Sequence, residues 1–203
     1  YYEASKRENV ALVGGDTTAS RDRISINVVA IGRAPMTNIK RRSAAKVGDV
    51  IAITGKLGIS SKGLVDIMFG DINTSAAKAH RIAQARTAEG AWLGTRKEVH
   101  AMMDISDGIA SDIKHIMELS GVGAEIYIER IPTDYDIRFA TTGGEDYELL
   151  FTVPLADYDK VSKLKDIRLI GHITKPELGC MLVTRDGGEM ELKAQGWQAL
   201  TEA

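Results

Sequence analysis

A mixed α/β fold of the α+β kind is what this chain predicts, and three observations carry that expectation. Short β-branched runs such as "ISINVVAIG" (24–32) and "VIAITG" (50–55) recur along the sequence. Between them lie segments with apolar residues at helical spacing. No stretch repeats internally or falls into low complexity. The 203 residues suit one large domain or two modest ones with a sizeable core.

The elements follow in order. "YYEASKREN" (1–9) predicts a helix, running into a strand "VALVGG" (10–15) that ends on a glycine pair. A chain that opens inside a helix, without methionine, is expected to be a piece of a longer protein. A second strand covers 24–32. Pro35 and the polar, basic stretch after it exclude a strand interior, which sets an expected domain boundary: 1–38 and 39–203. In the second part "VIAITG" restarts β structure. "SSKGLVDIMFG" (60–70) and "TSAAKAHRIAQARTAEGAWLG" (74–94) predict helices, the latter capped at Thr74 or Ser75. "VHAMMDI" (99–105) predicts a strand. Apolar residues at 109, 113, 116 and 117 then predict a helix stopped by Gly121 and Gly123. Strands are expected at "AEIYIERI" (124–131), "YELLFTV" (147–153) and "IRLIGHI" (167–173), with a helix at 156–165. "CMLVTRDGGEMEL" (180–192) predicts a hairpin turning at Asp186-Gly187.

Composition narrows the function classes. A formal net charge of -2 offers no basic excess for nucleic acid and no acidic block for a disordered tail. One cysteine, Cys180, excludes an internal disulfide framework and fits a reducing compartment, so a cytoplasmic protein is expected. No run approaches the roughly 18 apolar residues of a membrane span. Neither a Walker loop, nor a kinase-type H-R-D or D-F-G set, nor G-x-G-x-x-G occurs. His80, His100, His115 and His172 are scattered and read as surface or packing residues.

Three acidic-glycine motifs remain. "LVGGDTTAS" (12–20) places Asp16 and two hydroxyls behind Gly14-Gly15. "MMDISDGIASDI" (102–113) sets Asp104, Ser106, Asp107, Ser111 and Asp112 where a strand becomes a helix. A helix needs one cap, not five. A division of labour accounts for the surplus: Asp104 and Asp107 take a hard divalent cation, while Ser106 and the free helix N–H groups face phosphate oxygens. "TTGGEDYELLF" (141–151) repeats the pattern with Glu145 and Asp146 after a glycine pair. Each motif alone has a plainer reading, as a turn with solvated acids or a helix N-cap; three of one chemical type argue for a site.

In this order the motifs resemble those of the thiamine-monophosphate kinases of the aminoimidazole-ribonucleotide synthetase superfamily, supported by "RSAAKVGDVIAITG" (42–55) and a tryptophan after a glycine near the end. The resemblance implies ATP-dependent, Mg2+-dependent phosphorylation of thiamine monophosphate to thiamine diphosphate by direct in-line transfer. It implies Asp16, Asp104 and Asp107 as magnesium ligands and catalytic residues, Gly15 and Ser106 on nucleotide phosphates, and Arg42 on ATP. Glu145 and Trp197 are implied on the acceptor. It also implies a homodimer formed through a barrel-forming N-terminal domain, of which residues 1–38 are the end, followed by an α+β sandwich. Neither nucleic acid nor membrane is implied as a partner. The chain departs from the family pattern at Ala85, where a proline is frequent, and in "GWQAL" (196–200). The alternatives are an ATP-dependent enzyme of the same superfamily with another small acceptor, and a non-catalytic nucleotide-binding module.

Overall fold

The structure, a computed structural model, describes residues 1–192. Trp197 therefore lies outside the described residues. The chain divides into two units, Tyr1–Met36 and Thr37–Ala203.

In the first unit α1 (Tyr2–Arg7) forms as expected, with Glu3 in its first turn and Lys6 and Arg7 in its last, both favourable to the helix dipole. The strands expected at 10–15 and 24–32 do not form; both stretches are irregular and exposed. Val13, Ile24 and Ile31 stand almost fully in solvent. Propensity alone does not make a strand, because its N–H and C=O groups need a neighbouring ladder. Among the described residues of this unit there is none.

The second unit is built on a seven-stranded sheet: β1 (Asp49–Ile53), β2 (Met102–Asp104), β3 (Gly123–Tyr127), β4 (Leu149–Pro154), β5 (Arg168–Thr174), β6 (Cys180–Val183) and β7 (Glu189–Glu191). Their spatial order is β2-β4-β1-β5-β3-β6-β7. All neighbours are antiparallel except β3 and β6, with Val50 opposite Val153 and His172 across the centre. β1 is buried at every position, as a strand covered on both faces must be. Its residues divide by the two-residue period: Ile51 and Ile53 join the core with Ile105, Ile113 and Leu150, while Val50 and Ala52 join Leu93, Phe151 and Val161. Cys180 packs in the first of these cores, and burial pushes its thiol up to about 11, which leaves it inert, as a packing residue should be.

The helices are α2 (Ile59–Met68), α3 (Ser75–Arg81), α4 (Thr87–Gly94), α5 (Ile109–Ser120), α6 (Ile137–Thr142) and α7 (Tyr158–Val161). Thr74 caps α3, its hydroxyl accepting the Ala77 N–H at 3.0 Å. Gly121 closes α5 in the left-handed conformation, φ 66°. Gly187, φ 83°, turns the β6–β7 hairpin. One expectation changes: the single helix over 74–94 is two, broken at 82–86. Arg86, at the end of the break, is the N-cap residue of α4, with φ -92° and ψ 43°, and its guanidinium pairs with the Glu148 carboxylate. The short α6 was not legible in apolar spacing; Asp136 starts it by accepting the Arg138 N–H at 2.9 Å. No helix of the described residues is long and apolar enough to cross a membrane.

Candidate active site

The strand-to-helix turn at 105–108 answers why acids crowd there. β2 ends on Asp104, Ile105 turns into the core, and Gly108 takes φ 99° before α5 starts. Asp112, on the first turn of α5, is 1% exposed. Its Oδ2 accepts the Asp107 N–H at 3.0 Å, and Ser106 N–H also bonds to it. Burial pushes the Asp112 carboxyl up from its ordinary range, and these N–H groups partly oppose that. Asp112 is thus the one acid that the turn itself uses. Asp104 and Asp107 stay exposed, and Ser106 is half-buried.

The third motif is laced onto this turn through backbone. Glu145 N–H bonds to the Ser106 carbonyl at 2.8 Å, Tyr147 N–H to the Ile105 carbonyl at 2.9 Å, and Ile105 N–H to the Glu148 carbonyl at 2.7 Å. The glycine pair makes this possible. A Cβ on Gly144 would strike the Ser106 carbonyl oxygen and lie 3.2 Å from Asp107 Cα; one on Gly143 would strike Ser61 and the Phe139 carbonyl. The expected close approach is real, but it is to the sister loop. The lacing also forces Glu145 (φ 68°) and Tyr147 (φ 54°) into left-handed backbone, which costs on the order of 1–3 kcal/mol for each non-glycine residue.

The acids of "GGEDYE" then part company. Asp146 is buried and caps α2 from outside, accepting Gly58 N–H at 2.7 Å and Ser60 N–H at 3.0 Å. Burial pushes its carboxyl up from the ordinary range, against the pull of those bonds. Glu148 is buried too. Its carboxylate takes Arg86 through both oxygens, at 2.6 and 2.7 Å, and the Thr54 hydroxyl at 2.5 Å. Hydrogen bonding to Glu148 raises the Arg86 guanidinium further above its ordinary value. A glutamate inside the apolar run "YELLFTV" was the available signal for this pair, since a buried carboxylate needs a partner. Glu145 alone remains exposed.

Two clefts flank these side chains. One, of about 460 Å³, is lined by Glu145, Lys56, Tyr135, Arg168 and Arg86 among others. The second, of about 380 Å³, is lined by Asp104, Tyr147, Leu149, Thr87 and Arg86. Arg86 is common to both.

Asp104, Ser106, Asp107 and Glu145 are therefore brought together on two laced loops. Gly15 and Asp16 belong to the first unit. There Asp16 is exposed and accepts the Thr17 N–H at 2.8 Å, and a Cβ on Gly15 would meet nothing within 4 Å. Arg42 is exposed in a short 3-10 turn whose carbonyl accepts the Ser120 hydroxyl at 2.7 Å. That anchors it at the far end of the twelve-residue α5 from Asp107, about 18 Å of helix away.

As ligands, Asp104 and Asp107 suit a hard cation: they offer carboxylate oxygen, they are exposed, and no lysine or arginine among the described residues pairs with them. One atom each from Asp107, Asp112 and His115 also lies within 4.8 Å of the others. Asp112 is already engaged by the turn, and an imidazole suits softer ions better than magnesium.

The family model for AIR synthase related protein, C-terminal domain, matches residues 46–184. The thiamine-monophosphate kinase of Buchnera aphidicola subsp. Acyrthosiphon pisum is 32% identical over 200 residues, covering 88% of this chain and 61% of the relative. That of Escherichia coli (strain K12) is 36% identical over 163 residues, covering 72% of this chain and 49% of the relative. The chain thus spans roughly half to three fifths of the length of these curated relatives. Among solved structures, AaThiL complexed with AMPPCP and TMP superposes with a TM-score of 0.67 at 30% identity, over 78% of this chain and 53% of that one. The chain belongs to the AIR synthase related protein family, whose C-terminal domain it carries over residues 46–184.

Proposed function

We propose that this chain forms part of a kinase that transfers the γ-phosphoryl group of ATP to thiamine monophosphate, giving thiamine diphosphate. The observation that carries the reading is the lacing of the two loops, which brings the exposed Asp104 and Asp107 together with Glu145, Asp104 lining one cleft and Glu145 the other. Similarity to thiamine-monophosphate kinases and to a structure holding AMPPCP and TMP supports it.

In this reading Asp104 and Asp107 would hold Mg2+, and Asp16 carries the same proposed role as a magnesium ligand. When bound, the metal would supply charge neutralisation between the two polyanionic substrates. Ser106 and Gly15 contact the nucleotide phosphates. Arg42, anchored at the other end of α5, meets ATP away from the transferred group. Glu145 binds the acceptor in the larger cleft, and Trp197 is likewise proposed as an acceptor-binding residue. An oxygen of the acceptor's phosphate attacks the γ-phosphorus in line, and the bond to the departing ADP oxygen breaks. The attacking oxygen is already ionised, so alignment and charge do the work and no strong general base is needed. Residues 1–38 are the end of an N-terminal barrel-forming, dimerising domain, and the protein is a cytoplasmic homodimer.

The test is ADP release by the full-length protein with ATP and magnesium. Thiamine monophosphate should stimulate it, while thiamine and unrelated phosphate esters should not; no stimulation retires the reading. D107N should lower turnover at least 100-fold, on the scale of losing a transition-state charge contact, with an unchanged unfolding midpoint because Asp107 is exposed.

A further inference from the structure

The larger cleft carries an aromatic wall and a charge balance that the roles above do not use. Tyr135 is the one aromatic residue among the described residues that line it. The segment bearing it is held in place on either side. The Pro132 carbonyl accepts the Leu57 N–H at 2.9 Å, the Tyr135 N–H bonds to the Thr133 hydroxyl at 3.1 Å, and Asp136 starts α6. Tyr135 is half-buried, and no other ring or cation of the described residues packs on its ring.

The charges around it cancel only in part. Lys56 pairs with Asp134 at 2.6 Å, and Arg86 with Glu148 at 2.6 Å. Glu145, Asp146 and Asp166 then stand against Arg168, so the described lining is net negative. Glu145 and Asp166 are exposed. Asp166 keeps left-handed backbone, φ 65°, and its carbonyl accepts the N–H of Gly55, another residue of the cleft wall, at 2.8 Å. An aromatic ring without a partner, beside surplus negative charge, suits a flat organic cation.

We propose that Tyr135 is a specificity-determining residue of the acceptor site: its ring stacks on the cationic thiazolium of thiamine monophosphate, while the phosphate lies towards the 104–107 turn. The inference rests on the kinase reading and deepens it. The acceptor carries opposite charges at its two ends. A net negative cleft attracts the ring and repels the phosphate, which fixes the way round that the acceptor lies.

Y135F keeps the ring, and Y135L removes it at similar bulk. In the full-length enzyme Y135L should raise KM for thiamine monophosphate about fivefold, the scale of a partly buried cation–π contact. KM for ATP should stay within about twofold, and Y135F should match wild type. The neutral thiophene analogue of thiamine monophosphate, used as a competitor, tests the charge itself. Wild type should bind it more weakly than thiamine monophosphate, and that ratio should shrink in Y135L. Unchanged acceptor KM in Y135L, equal changes in both KM values, or one ratio for both proteins overturns the proposal. Should Y135L not fold, wild type binding the neutral analogue as tightly as thiamine monophosphate overturns it. Calorimetric titration with thiamine, which has the ring and lacks the phosphate, separates the two readings. Binding that weakens in Y135L, in a protein that thiamine monophosphate does not stimulate, retires the kinase reading and leaves the cation site standing.

Discussion

"GGDTT" at 14–18 and "GGEDY" at 143–147 look alike on paper and are used in opposite ways. In the second, both glycines are required by the chain's own packing, because any Cβ would collide with Ser106, Ser61 or backbone. Its Asp146 is buried and bonded to two N–H groups at the start of α2. In the first, glycine Cβ atoms would meet nothing within 4 Å, and Asp16 is exposed. One motif serves the fold first and presents a single exposed acid; the other leaves its glycines and its acid exposed. A short pattern therefore names residue types suited to a site without saying which of them the fold has already engaged.

Substitutions can break or sharpen this contrast. The largest effect is expected at Glu148, whose side chain and that of Arg86 are 10% and 19% exposed. E148A leaves a guanidinium partly buried without its carboxylate and should cost about 3–5 kcal/mol in urea unfolding. A loss under about 1 kcal/mol would mean that Glu89 alone suffices for Arg86. Next, G144A should cost about 1–3 kcal/mol through overpacking against Ser106, whereas G14A should stay within about 0.5 kcal/mol. Equal effects would erase the distinction between the two glycine pairs. D146A removes the acceptor at the α2 terminus and should cost about 1–2 kcal/mol. The smallest effect is in pH dependence. Burial raises the Asp146 carboxyl above its unfolded value, so the corresponding stability is present below the unfolded pKa and lost as pH rises through the folded one. The stability of wild type relative to D146N should therefore fall as pH increases from the unfolded carboxyl range, near 4. Asp136, held down to about 2 by Arg138, should give the opposite sign against D136N: a gain that disappears only as pH falls towards 2.

Local pattern was enough for much of the second unit. Continuous apolar runs marked β1 and β4, the 109, 113, 116 spacing marked α5, and Thr74 and Gly121 marked helix ends, because each depends on contacts within a few residues. The same logic failed for 10–15 and 24–32, where β-branched residues lack a ladder to join. It also failed at 82–86, where the helix stops at Ile82 and Arg86 turns to an ion pair with Glu148, 62 residues away. In the candidate site, the identities of Asp104, Ser106, Asp107 and Glu145 were legible as chemistry. The roles of Asp112, Asp146 and Glu148 were not, since burial and backbone partners are properties of the packed chain.

By itself, then, the sequence determined the type of chemistry on offer: oxygen ligands on glycine-bearing turns, with neither thiol nor imidazole sets nor a Walker lysine. The tertiary structure decided which acids remain available to a ligand. The reason is that carboxylates of equal pattern become unequal once some are desolvated and bonded to N–H or guanidinium groups brought from distant parts of the chain, and no local pattern contains those partners.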